Sequence, residues 1–162
     1  MSFFILKEAK LEDLDTILFF VKKIAEYEKL SDQVKANKED LKKWIFDKQL
    51  VHVLLCEENK KDIGYVVYFY NFSTFTGKAG LYLEDLYLLP EYRHKGYGTY
   101  IFKELANIAL NNGCARFEWV CLNWNEPSKE FYKKMGAKPM SDWTTYRLDE
   151  EGIIKLGGKR WK

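Results

Sequence analysis

The spacing of apolar residues predicts two helices in the first third of the chain. From Leu11 to about Leu30, apolar residues recur every three or four positions, which is the period of an amphipathic helix. Asn37, with Asp40 three residues later, is a capping pattern, so a second helix is expected to begin there. The apolar residues on one face of that second helix are Leu41, Trp44 and Ile45.

Runs of β-branched and aromatic residues predict the strands of a sheet. The runs are Phe3–Lys7, Leu50–Glu57, Ile63–Phe72, Leu81–Leu89, Ala115–Leu122 and Thr144–Leu148. The polar residues 58–62 are a hairpin signal between the second and third runs, and Pro90 ends the fourth run. The middle strands are therefore expected to be antiparallel.

Two strand–helix units are expected in the second half of the chain. One helix follows the loop at residues 93–98 and ends at Asn111-Asn112-Gly113, a C-terminal glycine signal. A shorter helix opens at Asn125–Ser128, with Pro127 near its first turn, and ends at Lys134. No repeat, low-complexity stretch or linker is visible, so we predict a single α/β domain, residues 1–162, around one mixed sheet.

The composition excludes several classes of protein. Lys and Arg number 26 and Asp and Glu 24, so the net charge is only +2, and no nucleic-acid partner is expected. No apolar run approaches the roughly 18 residues of a membrane span, and Glu8 comes too early for a signal peptide. The three cysteines lack CxxC spacing, and no cluster has metal-ligand spacing. We expect a cytoplasmic protein with reduced thiols, no metal and no membrane partner.

A loop with two glycines follows the fourth predicted strand and precedes a helix. Gly96 and Gly98 allow a tight turn, and the N–H groups at the start of the helix attract phosphate oxygens. Arg93 and Lys95 add positive charge. Ile101 stands where a dinucleotide fingerprint has its third glycine, and the P-loop pattern is missing as well. The loop is therefore either a pyrophosphate site of another type or an ordinary turn before a helix.

Two segments resemble motifs A and B of the GNAT N-acetyltransferases. Leu86–Thr99, which reads LYLLPEYRHKGYGT, is similar to motif A, whose pattern is Gln/Arg-x-x-Gly-x-Gly/Ala. Asn123–Ala137, with NWNEPS and FYKKMGA, resembles motif B. Leu81–Asp85, together with Tyr27 and Glu28, narrows the likeness to the diamine (spermidine/spermine) branch and its thialysine-type relatives. The likeness runs from about residue 3 to residue 148.

The resemblance implies the GNAT fold, a mixed and mostly antiparallel sheet that is splayed and flanked by helices. It also implies acetyl-CoA as co-substrate. Main-chain groups of Leu86, Tyr87 and Leu88 would bind the acetyl-pantetheine arm, because the splay leaves them without a neighbouring strand. The other residues expected to bind the coenzyme are Arg93, His94, Lys95, Gly96, Tyr97, Gly98 and Thr99 at the pyrophosphate, Asn125, Glu126, Pro127 and Ser128 at the pantetheine, and Tyr132 at the sulfur.

Acetyl transfer to an ammonium requires a proton acceptor and a donor. The resemblance makes Glu84 the candidate base, acting directly or through water, and Tyr132 the candidate acid for the departing thiolate. Strand alternation puts Glu84 on the face of Tyr82 and Leu86, and Asp85 on the opposite face. Without the resemblance, the two acids are equally the solvent-facing charges of an edge strand, and Tyr132 is a packed tyrosine.

A small polyamine or diamine-like amine is the expected acceptor, because its positive charges need an acidic and aromatic site. The residues expected to bind it are Tyr27, Glu28, Glu84, Asp85, Glu118, Trp119 and Val120. Glu118 and Trp119 are equally explained as a cross-strand pair on an exposed face. The loop at residues 73–80 is one residue longer than in the polyamine enzymes, which leaves the choice of amine open.

Two alternatives to acetyl transfer onto a polyamine remain. Within the acetyltransferases, the acceptor is a lysine analogue, another amino acid or a protein lysine. In a different class, the domain binds acyl-CoA without catalysing transfer, although the presence of both Glu84 and Tyr132 argues against this. The resemblance also implies a homodimer, while an aromatic-rich core would explain the composition equally well.

Overall fold

The chain forms two compact units, Met1–Leu122 and Asn123–Lys162. The structure is a computed structural model, and it describes residues 3–158. The predicted strands of the middle region and the two long predicted helices fall in the first unit.

The first unit is built on one five-stranded sheet with strands in chain order. The strands are β1 (Phe4–Glu8), β2 (His52–Glu58), β3 (Lys61–Ser73), β4 (Lys78–Leu88) and β5 (Arg116–Glu118). The pairings β1–β2, β2–β3 and β3–β4 are antiparallel, and β5 is parallel to β4. The predicted mixed, mostly antiparallel sheet is confirmed. The fifth predicted strand is much shorter than the run Ala115–Leu122.

Helices flank this sheet. They are α1 (Leu14–Tyr27), α2 (Lys38–Leu41), which continues as a π-helical segment (Lys42–Asp47), and α3 (Tyr97–Asn111). Short 3₁₀ turns occupy Leu11–Asp13, Ser31–Gln33 and Pro90–Tyr92. The predicted cap of the second helix is present, because the Asn37 side chain accepts from the backbone N–H of Asp40 at 2.9 Å.

The core beneath α1 is aromatic and β-branched. Ile17 and Phe20 on α1 are each only 1% exposed, and the Phe20 ring stacks on Tyr65 of β3 with centroids 5.6 Å apart. The buried members of this cluster are Ala9, Ile17, Phe20, Val53, Leu55, Tyr65 and Tyr87. The helix α3 buries its own stripe, Ile101, Phe102, Leu105 and Ala109. Burial of this kind stabilises by about 1.5–3 kcal/mol for each large side chain.

Two irregularities in β4 shape the site. Val67 and Tyr68 of β3 stand opposite Asp85 and Leu83, so Glu84 is an extra residue in a β-bulge. The predicted alternation is wrong across this point. Because the register pairs Tyr82 with Phe69, and Asp85 with Val67, Asp85 lies on the face of Tyr82.

The second irregularity is the splay between β4 and β5. Parallel pairing joins residues 80–82 of β4 to β5 and then ends, although β4 continues to Leu88. Within the first unit, residues 83–88 of β4 therefore keep a strand neighbour on the β3 side only. This is the splay that the sequence resemblance implies.

The second unit contains two helices, α4 (Glu126–Lys134) and α5 (Glu150–Gly157). The predicted α4 is confirmed, with Asn125 as its N-cap and Pro127 in its first turn. The predicted strand Thr144–Leu148 is wrong, since this segment is irregular and Tyr146 is 92% exposed. Its β-branched and aromatic pattern needs a partner strand, and the described residues 123–158 of this unit contain none. The helix α5 begins at the Asp149 cap and was not predicted.

Candidate active site

Asp85 lies on the α1 face of the sheet, where it is partly buried. The Tyr65 hydroxyl donates a short hydrogen bond to Asp85 Oδ2. Burial raises the pKa of Asp85, and this hydrogen bond partly opposes the shift. Burial also raises the pKa of Tyr65, and the charge of Asp85 adds to the effect, so this phenol stays protonated. Tyr65 was not predicted as a site residue, because a tyrosine within a predicted strand is interpreted as part of the hydrophobic core.

Glu28 completes the acidic cluster, which we define as Glu28, Glu84 and Asp85. It is the residue after the last turn of α1 and is half-buried. Burial raises the pKa of Glu28, and the charges of Asp85 and then Glu84 raise it further. Those electrostatic effects place the three acids close to one another. Glu84 itself is exposed in the bulge, and bulges often redirect a side chain beside an active site.

Tyr27 precedes Glu28 and contacts Arg93. The guanidinium of Arg93 lies 5.1 Å from the Tyr27 ring centroid and 5.1 Å from that of Tyr87. Its Nε also donates to the backbone carbonyl of Leu88 at 2.8 Å. Arg93 therefore ties the end of α1 to the end of β4, a role that the sequence pattern did not suggest.

The end of β4 presents main-chain groups on the side away from β3. The N–H of Leu89 donates to Ile63 at 2.8 Å, so by alternation the backbone groups of Leu88 and Leu86 are directed away from β3. The Tyr87 carbonyl lies on the β3 side, where it would be 2.2 Å from a side chain added at Gly64. The side away from β3 is the side that β5 leaves after residue 82. An extended ligand can therefore use the backbone of residues 86 and 88.

The loop before α3 has the backbone geometry of an anion site. His94 and Gly96 have φ angles of 62° and 85°, and a side chain added at Gly96 would meet nothing within 4 Å. The N–H of Tyr100 bonds to the Gly96 carbonyl, so the N–H groups of Gly98 and Thr99 precede the first bond of the helical ladder. Such groups carry the partial positive charge of a helix N-terminus. Open space and N–H donors together fit a pyrophosphate.

A buried carboxylate on β2 holds this loop. Glu58 is 7% exposed and accepts a short hydrogen bond from the Tyr97 hydroxyl. Lys95 Nζ lies 3.4 Å from the same carboxylate, and the Tyr97 ring stacks on Phe4 with centroids 4.0 Å apart. Sequence reasoning missed Glu58, because it falls in the stretch interpreted as a hairpin loop. Lys95, predicted as a phosphate ligand, already has this partner.

The predicted substrate residues of β5 and its end are engaged elsewhere. Glu118 forms an ion pair with Arg116 at 2.7 Å and accepts from the Asn71 side chain at 3.3 Å. Trp119 packs edge-on against Phe102 with centroids 4.9 Å apart, whereas Val120 is 74% exposed. None of the electrostatic effects on Glu28 or Asp85 comes from Glu118. The binding role of Glu118, Trp119 and Val120 stays a prediction.

The second unit positions its predicted residues on α4. The Asn125 side chain accepts from the N–H of Ser128 at 3.4 Å, and Glu126 pairs with Lys129 at 3.1 Å. Tyr132 is half-buried beside Phe131, with ring centroids 5.9 Å apart. Asn125 thus fixes the start of the helix that carries Tyr132. The roles of Asn125–Ser128 and Tyr132 toward the coenzyme stay predictions.

Within residues 3–158, no group of three or more His, Cys, Asp or Glu is arranged to hold a metal ion. Over the same residues, no helix combines the length and apolar character that crossing a bilayer requires.

Comparison with known proteins identifies the class to which this fold and site belong. The model of the acetyltransferase (GNAT) family matches residues 14–137, and the chain therefore belongs to the GNAT family. Its enzymes use acetyl-CoA as co-substrate, and this protein is an N-acetyltransferase that acetylates an amine. The predicted GNAT fold and enzyme class are confirmed.

Relatives within the family confirm the resemblance to the diamine and thialysine branch. The thialysine N-epsilon-acetyltransferase of Sus scrofa is 37% identical over 98% of this chain and 100% of its own length. A spermidine/spermine N(1)-acetyltransferase-like protein of Homo sapiens is 29% identical over 96% of this chain and 24% of its own length. Among solved structures, an integron cassette protein from the mobile metagenome of V. cholerae has a TM-score of 0.79 and 26% identity, covering 96% of this chain and 98% of its own.

Proposed function

We propose that the protein transfers the acetyl group of acetyl-CoA to a primary amine of a small polyamine or diamine-like substrate by direct attack. The observation that carries this proposal is the acidic cluster, because two of its members, Glu84 and Asp85, lie on β4, and the end of β4 directs backbone groups away from β3. Asp85 and Glu84 raise the pKa of Glu28, and a cationic substrate relieves that repulsion.

The donor half of the site is proposed from motif A and motif B. Backbone groups of Leu86 and Leu88 bind the pantetheine arm, whereas those of Tyr87 face β3, and Arg93–Thr99 bind the pyrophosphate through N–H groups and positive charge. Asn125–Ser128 contact the pantetheine, and their motif supports this role. The thioester of bound acetyl-CoA supplies the activated acetyl group. The family model runs across residues 122 and 123, which supports one acetyltransferase domain made of both units.

Glu84 is the proposed base. An alkyl ammonium with a pKa of about 10.4 must lose its proton before it attacks, which costs about 4–5 kcal/mol at pH 7. Glu84 accepts that proton directly or through one water as the nitrogen attacks. Its exposure in the bulge leaves the carboxylate accessible to the substrate and to water. Asp85 and Glu28 attract the cation, with Tyr27 as the aromatic wall.

Tyr132 is the proposed acid. The thiolate of CoA must be stabilised or protonated as it leaves, and a phenol hydroxyl can donate to it. The position of Tyr132 in motif B supports this role. Glu118, Trp119 and Val120 remain proposed as further substrate contacts on the strength of the resemblance alone.

A lysine analogue is the second candidate acceptor. The relatives of about full length include thialysine acetyltransferases at 35–37% identity, and a diamino acid also carries a primary amine on a flexible arm. Thiol release from acetyl-CoA with spermidine, thialysine and lysine, each at equal concentration, ranks the two. We expect spermidine or thialysine to exceed lysine at least tenfold in kcat/KM. Equal and negligible rates on all three amines would contradict both a polyamine and a lysine analogue as the acceptor.

Replacement of Tyr132 by Phe tests catalysis against coenzyme binding alone. We expect kcat to fall about 10²-fold with the Kd for CoA changed less than threefold. Phe131→Leu, beside it on α4, is the matched control for packing and should keep kcat within a few-fold. Unchanged turnover in Tyr132→Phe would remove this residue from the chemistry, and absent turnover in the wild type with CoA bound would favour a non-catalytic acyl-CoA module.

The assembly and compartment are also proposals. The free state of Cys56, Cys114 and Cys121 is consistent with a reducing, cytoplasmic environment, and the small-molecule acceptor requires no nucleic-acid or membrane partner. A homodimer is proposed from the branch that the chain resembles.

A further inference from the structure

A cavity of about 240 Å³ lies between α1, the α2–π-helical segment and the sheet. Ile17 and Val53, on α1 and β2, are almost fully buried in its wall. Trp44 of the π-helical segment is 45% exposed and also lines it, so the cavity reaches the surface there. The remaining apolar wall comes mainly from Val21, Ile45 and Val67.

Asp85 of the acidic cluster forms part of this wall. Since Asp85 and Val67 are register partners on adjacent strands, the same sheet face carries the carboxylate and the apolar surface beside it. Asp40 is the other carboxylate of the wall, and its Oδ2 accepts from the Asn37 N–H at 3.4 Å. Among the residues that the structure describes, neither Lys nor Arg lines the cavity. The charge of the wall is therefore negative, and its surface is otherwise hydrocarbon.

This combination fits an ammonium that carries an uncharged arm. Apolar cavities of about 150 Å³ are known to bind benzene, so the present volume has room for a chain of several carbons. A second positive charge next to Ile17, Val21 and Val53 would be desolvated by hydrocarbon side chains that carry no compensating charge.

We propose that this cavity binds the hydrocarbon arm of the acceptor amine, with the reacting ammonium at Asp85 and beside Glu84. The proposal rests on the proposed acetyl transfer and narrows its substrate class to amines whose first carbons are unbranched and uncharged. Selection among amines then depends on the length of the uncharged arm that follows the reacting ammonium.

Linear primary amines from ethylamine to octylamine test the proposal. Calorimetry without acetyl-CoA should show binding that tightens about fourfold for each added methylene, the factor equivalent to about 0.8 kcal/mol, until the cavity is full. Thiol release with acetyl-CoA should show the same rise in kcat/KM. Affinity independent of chain length would overturn the proposal.

Two variants locate the effect. Val21→Phe fills the cavity and should remove most of the increase in affinity from butylamine to hexylamine. Leu18→Phe is the control, because Leu18 is also half-buried on α1 but does not line the cavity. This variant should keep the increase. Asp85→Asn should weaken hexylamine at least tenfold and leave hexanol unchanged. Equal loss for hexylamine and hexanol, or an unaltered slope in Val21→Phe, would contradict the assignment; the chain-length series on the wild type decides if either variant fails to fold.

Failure of this inference and failure of the proposed function give different results. Alkylamine affinity that rises with chain length, without thiol release on any amine, would support the cavity as a binding site for the arm. It would contradict acetyl transfer to amines of this kind. Thiol release with spermidine or thialysine, together with alkylamine affinity that does not change with chain length, would support the proposed function. The same result would contradict the assignment of the cavity to the substrate arm.

Discussion

Two carboxylates of the first unit, the buried Glu58 and the partly buried Asp85, have opposite surroundings. Glu58, at the end of β2, accepts from the Tyr97 hydroxyl and lies 3.4 Å from Lys95 Nζ. Asp85, on β4, accepts from the Tyr65 hydroxyl, and its charge raises the pKa of Glu28. One carboxylate thus has a cation beside it, and the other has an acid.

In the proposed function, this difference separates the part of the site that binds the coenzyme from the part that binds the amine. A buried charge that has its counter-ion and a hydrogen bond fixes local structure, and here it fixes the loop that contains Gly96. Like charges held together store repulsion that a cation relieves on binding, which is a feature of functional sites. In the proposed function, the donor side is therefore organised in advance, and the acceptor side would be completed by its substrate.

The largest expected effect comes from the base. Glu84→Gln removes the proton acceptor and keeps the size of the side chain, so kcat should fall about 10²–10³-fold, within the range for general-base catalysis. Steady-state thiol release at saturating acetyl-CoA and amine measures it, and CoA affinity should stay within threefold. The pH profile of kcat in the variant should also lose the ionisation that a carboxylate base contributes in the wild type. A kcat within threefold of the wild type would assign the base to another member of the acidic cluster.

Glu58→Gln tests the donor side and should have a smaller effect. The hydrogen bond from Tyr97 to a charged acceptor contributes about 1.5–3 kcal/mol, whereas the partly exposed Lys95 pair contributes about 1 kcal/mol or less. Loss of the first outweighs any gain from releasing Lys95, so the loop should loosen and KM for acetyl-CoA should rise about tenfold with kcat nearly unchanged.

Glu57→Gln is the matched control for Glu58. It is the neighbouring residue of β2, and its carboxylate pairs with Lys7 at 2.5 Å, outside the loop. Its KM for acetyl-CoA should stay within twofold. If Glu58 acts through the loop, Tyr97→Phe should raise KM alone but add little to Glu58→Gln, because the two share one interaction. A lower KM in Glu58→Gln would mean that the carboxylate restrains Lys95 from binding phosphate.

The sequence predicted the sheet, the long helices and the glycine loop, because each has a local signal. Periodic apolar residues set α1 and α3, and Gly96 requires the positive φ that it adopts. The proximity of Glu28, Glu84 and Asp85 was expected only from the resemblance, since Glu28 is separated by more than 50 positions from the other two.

Features that depend on a distant partner were missed or wrong. Alternation failed at Glu84, because an inserted bulge residue changes the face of everything before it and leaves no mark in the residue types. Glu58 looked like part of a polar turn until Tyr97 and Lys95, almost 40 residues later, were placed against it. The segment Thr144–Leu148 has the residue types of a strand, but a strand is specified by its neighbour.

The smallest expected effect is the pH dependence of stability contributed by Glu28. Its pKa in the folded state is raised above the ordinary 4.5 by burial and by Asp85 and Glu84. A raised carboxyl pKa contributes stability that is fully present below the unfolded pKa and is lost as pH rises through the folded pKa. The wild type should therefore lose stability relative to Glu28→Gln as pH rises from about 4, and the gap should become constant above the folded pKa.

Urea unfolding of Glu28→Gln and wild type between pH 4 and pH 8 measures this gap. Because Glu28 is partly exposed, solvent screening limits the gap to about 0.5 kcal/mol in favour of the variant at pH 8. Glu26→Gln, an exposed position on the same helix, should show no such growth with pH. Spermidine at pH 8 should narrow the gap, since a bound cation stabilises the ionised cluster of the wild type more than that of the variant. A gap that widens toward pH 4 would mean that Glu28 is held in a favourable ion pair, and the acceptor side would then resemble the donor side.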